Sequence, residues 1–77
     1  MKGGVQMQKP EIQISLAAAR VNAKMTQSEV AKEIGVSNQT ICNWENGKSE
    51  PTHSQARRLS ELYGISLDYI FLPEQSN

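Results

Sequence analysis

Gly35-Val36-Ser37 is the stretch that most constrains this chain, because helical patterning stops just before it and resumes just after it. Upstream, Thr26-Gln27-Ser28-Glu29 has the spacing of a capping box, in which a hydroxyl accepts from the third backbone N–H and a carboxylate reaches back to the cap. Met25 and Val30 fit the hydrophobic staple that accompanies such a box. Val30, Ala31 and Ile34 then turn inward, and Gly35 suits the left-handed residue that ends a helix. Downstream, Ser37 caps a second helix, Val36 and Ile41 form another staple, and Gly47 closes it. Two short helices joined by so tight a turn must cross steeply and lie close. Ala31 supplies the small residue that such a crossing needs, and Val30, Ile34, Ile41 and Trp44 supply apolar anchors on both helices.

The rest of the sequence is punctuated in the same way. Pro10 suits a first helical turn, where its missing N–H costs nothing. Ile12, Leu16, Ala19 and Ala23 follow as one helical stripe. Thr52-His53-Ser54-Gln55, after Pro51, is a further capping box, opening a helix that Gly64 ends. Ser66 caps a short last helix, which Ile65 and Ile70 staple and Pro73 stops. No segment shows strand alternation. The pattern predicts an all-α domain over residues 10–73, a compact five-helix bundle whose second and third helices form the close-set pair. Residues 1–9, with Gly3-Gly4 and no apolar periodicity, are expected to be a flexible tail, and residues 74–77 a frayed end.

Bulk properties narrow the functional class. A chain of 77 residues allows one domain, with only about 60% of its unfolded surface buried. Cys42 is alone and His53 is the only histidine, so neither a disulfide nor a Cys/His metal site can brace the core, and no metal or cofactor is expected. Nothing resembles a membrane span or the apolar centre of a signal peptide, which points to a reducing, cytoplasmic setting. Formal net charge is zero, which by itself argues against a polyanionic partner. The distribution is uneven, however. Lys2, Lys9, Arg20 and Lys24 face only Glu11 within residues 1–24, whereas Glu61, Asp68 and Glu74 meet no base within residues 61–77. No nucleophile–base pair or phosphate-cradling glycine loop supports catalysis, so the chain is not expected to be an enzyme.

The run Thr26-Gln27-x-x-Val30-Ala31-x-x-Ile34-Gly35-Val36-Ser37, continued by Ile41-x-x-Trp44-Glu45-Asn46-Gly47-Lys48-x-x-Pro51, resembles the phage-repressor and Cro type of helix-turn-helix, the xenobiotic-response-element family. The resemblance covers roughly residues 12–72, including Leu62-Tyr63-Gly64-Ile65-Ser66-Leu67-Asp68 near the end. It implies a lambda-repressor-like DNA-binding bundle with the helix-turn-helix in helices two and three, and a DNA-binding transcription regulator.

Helical geometry agrees with that implication. With Ile41 at the centre of the buried side and about 100° per residue, Trp44 and Glu45 flank it, while Gln39, Asn43 and Asn46 point away. Asn38 lies at the exposed N-terminal end, and Thr40 and Cys42 lie on the edges. An ordinary solvated face is usually built from Lys and Glu. This one is built from short amides, which pair bidentately with adenine N6 and N7. By the resemblance, Ser37, Asn38, Gln39 and Asn43 face base edges, while Gln27 and Asn46 reach phosphates. Thr26 and Gln27 sit at a helix start, where the N–H groups and dipole favour an anion. Lys48 and Lys24 are further phosphate candidates, although the family often has glycine at the position of Lys24.

Other conspicuous residues read as structural. Arg20 and Glu45 each lie about 40° off an apolar stripe, and the resemblance pairs them in an ion pair between the first and third helices. Trp44 and Tyr63 occupy inward positions, which favours core packing over base stacking. His53 stands where the family prefers an apolar residue and is expected to be partly buried or capping. Cys42 is expected to be a small filler beside the DNA backbone.

Ile70, Phe71 and Leu72 cannot all face one small core from a short helix, and they suggest a two-fold homodimer interface. Such a dimer would hold two recognition helices about 34 Å apart on a palindromic, A·T-rich operator. The expected function is transcriptional regulation, by repression, through sequence-specific double-stranded DNA binding. The alternative is an antitoxin or anti-regulator, a protein-interaction module on the same fold, with residues 1–9 as a possible contact for the partner.

Overall fold

The computed structural model describes residues 12–72. The expected tail, the opening at Pro10, the stop at Pro73 and the frayed end all lie outside these residues. Within them the chain enters as a two-residue strand, β1 (Ile14–Ser15), and continues into helix α1 (Leu16–Asn22). Helices α2 (Gln27–Ile34), α3 (Asn38–Glu45) and α4 (His53–Tyr63) follow. A single 3-10 turn, Leu67–Tyr69, then leads into strand β2 (Ile70–Phe71).

Each helix starts where a hydroxyl can cap it. Ser15 accepts from Ala18 N at 3.0 Å and Ser37 from Thr40 N at 3.1 Å. Thr26 with Glu29, and Thr52 with Gln55, form complete capping boxes. Each of these caps is worth about 1 kcal/mol. Helices α2 and α4 end on left-handed glycines, Gly35 at φ 88° and Gly64 at φ 70°. Helix α1 ends in the same kind of turn, with Lys24 N bonded to Val21 O and Met25 N to Arg20 O. There the left-handed residue is Lys24, at φ 61°. A non-glycine residue in that region costs about 1 kcal/mol.

Two expectations are corrected at the ends of the domain. The first helix does not include Ile12, which is 78% exposed, and begins only after Ser15. The last helix is absent: residues 67–69 make one 3-10 turn, and Ile70–Phe71 run parallel to Ile14–Ser15 with Ile14 opposite Ile70. The described residues therefore hold four α-helices rather than five, in an essentially all-helical fold with one short parallel bridge. Both departures have one cause. Ile12 and Ile14 at one end, and Tyr69, Ile70 and Phe71 at the other, are β-branched and aromatic residues that favour extended backbone. Each segment gives the other a ladder partner. Gln13 reinforces the join by donating to Asp68 O at 3.1 Å.

The core is one cluster drawn from all four helices and β2. Leu16 and Ala19 of α1, Val30 and Ala31 of α2, Ile41 and Trp44 of α3, Leu59 and Tyr63 of α4, and Ile70 of β2 are all buried. Trp44 and Tyr63 are thus core residues and not stacking platforms. Ile34, Val36, Met25 and Ala23 pack against the cluster from its margin.

Candidate nucleic-acid interface

Helices α2 and α3 are joined by residues 35–37 and share the core through Val30, Ala31, Ile41 and Trp44. Burial of Ile41 and Trp44 fixes the rotation of α3, and with it the residues turned outward. Ser37, Asn38 and Gln39 at its start are exposed, as is Asn46 just beyond its end. Thr40, Cys42 and Asn43 are half-buried. The resulting surface holds hydroxyls, carboxamides and one thiol, and no charged group.

Hydrogen bonds within this surface decide which atoms remain free. Ser37 Oγ accepts from Thr40 N and lies 2.8 Å from Thr40 Oγ1, where either hydroxyl can donate. Two hydroxyl protons serve one mutual bond, so one O–H remains available to a ligand. Gln39 Nε2 donates to Asn43 Oδ1 at 3.0 Å. Asn46 Nδ2 donates to Cys42 Sγ at 3.4 Å, which keeps this amide close to the helix.

The flanking residues frame that surface. Thr26 is exposed and, as the α2 cap, takes up Glu29 N, leaving the N–H groups of Gln27 and Ser28 to solvent or an anion. Gln27 is half-buried and donates from Nε2 to Glu45 Oε1 at 2.9 Å. Lys24 is exposed on the turn before α2, and Lys48 is exposed after Gly47, its backbone N bonded to Asn43 O at 2.9 Å.

Behind the surface, Arg20 binds Glu45 through two bonds, Nε to Oε2 at 2.7 Å and a terminal nitrogen to Oε1 at 3.2 Å. Its other terminal nitrogen donates to Met25 O. The paired side chains are only 15% and 7% exposed. The hydrogen bond to Glu45 raises the Arg20 pKa further above its ordinary value, against a smaller opposing effect of burial. Since Gln27 bonds to the same carboxylate, Glu45 ties the end of α3 to α1 and to the start of α2. The bond from Gln27 joins residues 18 positions apart. Nothing in the local pattern announces it; only the docked helices bring the two together.

The remaining sequence-derived residues are placed differently from one another. Ile70 is 3% exposed and belongs to the core, so it is not available to a second copy. The short helix expected over this stretch is replaced by a strand in which Ile70 faces inward. Leu72 is exposed. The Phe71 side chain lies outside the described set. His53, expected to be partly buried or capping, is exposed, because Thr52 already provides the cap. Among the described residues no group of acidic, His and Cys side chains is arranged to hold a metal ion. No described helix is long and apolar enough to cross a membrane.

Comparison with known proteins agrees with this architecture. The family model described as helix-turn-helix matches residues 16–70, and the chain belongs to that family, of the phage-repressor and Cro type. It is a family of DNA-binding transcription regulators and not of enzymes. Similar curated proteins include an uncharacterised helix-turn-helix transcriptional regulator, MJ0272, of Methanocaldococcus jannaschii, 38% identical over 65% of this chain and 76% of its own length. The transcriptional regulator ImmR of Bacillus subtilis is 34% identical over 71% of this chain and 43% of its own. Multiprotein-bridging factor 1c of Arabidopsis thaliana is 30% identical over 77% of this chain. The match spans only 40% of that plant protein. No solved structure matches the chain.

Proposed function

We propose that the chain binds double-stranded DNA sequence-specifically, with α2 and α3 acting as the helix-turn-helix and α3 entering the major groove. The observation that carries this reading is the uncharged amide and hydroxyl surface of α3, held at a fixed rotation by the burial of Ile41 and Trp44. Such side chains discriminate base edges by hydrogen bonding, at about 1–3 kcal/mol per good bidentate pair. Ser37, Asn38 and Gln39 meet base edges, and Asn43 belongs to the same reading face. Thr26, Gln27, Asn46, Lys48 and Lys24 meet the sugar–phosphate backbone on either side.

The regulator acts as a repressor that occludes a promoter, as a cytoplasmic homodimer on a palindromic operator. With Ile70 in the core, the dimer surface falls to Leu72 and to Tyr69, which is 50% exposed. The test is a labelled duplex obtained by selection, challenged with excess random DNA. Wild-type chain is expected to stay bound as two copies per duplex, and Asn38→Ala to be displaced. Displacement of the wild type by random DNA would refute sequence-specific binding, and a single copy on one half-site would refute the dimer.

Zero net charge favours one second reading, a protein-interaction module such as an antitoxin or anti-regulator on the same fold. Attraction to phosphates scales with the cations presented, and few are presented here. That reading requires duplex binding to vanish at physiological salt while a protein partner is retained.

A further inference from the structure

Resting on the groove reading above, we infer that Asn43 is a positioning residue that acts through Gln39, and that the two carboxamides read one base pair together. A glutamine carboxamide has one acceptor oxygen and two N–H donors. Gln39 uses one N–H on Asn43 Oδ1 at 3.0 Å. Its Oε1 and second N–H remain, and these are the two groups that bidentate pairing with adenine requires: an acceptor for N6–H and a donor for N7. The bond to Asn43 therefore leaves Gln39 one acceptor and one donor and restricts its freedom to swing.

Asn43 stands differently. Its oxygen is engaged by Gln39, and its side chain is half-buried one turn further from the exposed tip of α3. One lone pair of that oxygen and two N–H donors remain, but they belong to a half-buried side chain set back from the exposed position that Gln39 occupies. Exposed Gln39 is the reader; half-buried Asn43 is its anchor. Among the described residues the one side-chain hydrogen bond to Gln39 is that to Asn43. A pre-ordered glutamine spares the loss of rotamer freedom on binding, which is worth about three- to tenfold in affinity for a long side chain.

The experiment measures binding of the selected duplex and of all its single-base-pair variants by wild type, Gln39→Ala, Asn43→Ala, the double variant and Asn43→Asp. Gln39 is exposed and Asn43 half-buried, so melting curves of each variant serve as the check on folding. Asn43→Ala is expected to lower discrimination about three- to tenfold at the same base pair where Gln39→Ala abolishes it. The double variant should lose no more than Gln39→Ala alone. Asn43→Asp keeps the acceptor, so it should restore discrimination at that pair while weakening binding to every sequence, through repulsion from phosphates. Additive losses at two different base pairs would show that Asn43 reads its own base and would overturn the assignment alone. A wild type that selects no duplex would overturn the groove reading and this assignment with it.

Discussion

At the scale of single residues, the side chain with the most at stake is Glu45. It receives two bonds from Arg20 and one from Gln27 while only 7% exposed. Replacing it strands a mostly buried guanidinium and removes the partner of Gln27. Glu45→Ala is expected to cost about 3–5 kcal/mol. For a domain of this size that lowers the melting temperature by about 12 °C or more. A melt indistinguishable from the parent would show the pair to be idle. Tyr63 gives a second residue-level prediction. Burial, with a smaller contribution from the Glu45 carboxylate and opposition from Arg20, pushes its pKa from 10.0 up to about 12. The fold thus favours the neutral phenol. Its contribution is complete below pH 10 and is lost as pH rises towards 12, amounting to about 3 kcal/mol in all. Denaturation of wild type and Tyr63→Phe at pH 9, 10 and 11 isolates that loss. The wild type should lose stability relative to the variant across the series, and parallel curves would count against a buried phenol.

At the scale of elements, what was legible in the sequence followed local chemistry. Thr26, Ser37 and Thr52 mark helix starts through hydrogen bonds to residues three positions on, and Gly35 and Gly64 mark ends through their own dihedrals. None of these needs a distant partner to be recognised. The failures lay where an element depends on one. Ile12 begins a helical stripe on paper, but its near neighbour Ile14 pairs with Ile70, 56 positions away, and the backbone there is extended. That pairing turns Ile70 inward, which separates the fates of three consecutive apolar residues. Ile70→Ala should destabilise the monomer by about 2–5 kcal/mol, as a large-to-small change in a core does. Leu72→Ala, at an exposed position, should stay within about 0.5 kcal/mol. Urea titrations at several protein concentrations distinguish the two. Ile70→Ala acting only through dimerisation would contradict its place in the core. The amide surface of α3 was legible because burial of Ile41 and Trp44 sets its rotation by periodicity alone. The bond between Gln27 and Glu45 was not legible, since it exists only once α2 and α3 have docked.

At the scale of the whole molecule, a neutral reading surface is joined to a sparse set of cations. With zero net charge, nonspecific affinity should be modest and depend mainly on the lysines that flank α3. Lys48→Ala should weaken binding evenly across sequences and flatten the dependence of log affinity on log salt by about 0.9. Sequence preference should be unchanged, and a change in preference would make Lys48 a base reader. The central claim is that α3 reads bases from its N-terminal half, and its most direct test is selection of bound duplexes from a randomised pool at physiological salt. The expected product is a palindrome of A·T-rich half-sites with centres about 10 base pairs apart, carrying adenines that Asn38→Ala and Gln39→Ala no longer select. Recovery of no sequence above the starting pool, or of one that both variants select unchanged, would contradict it.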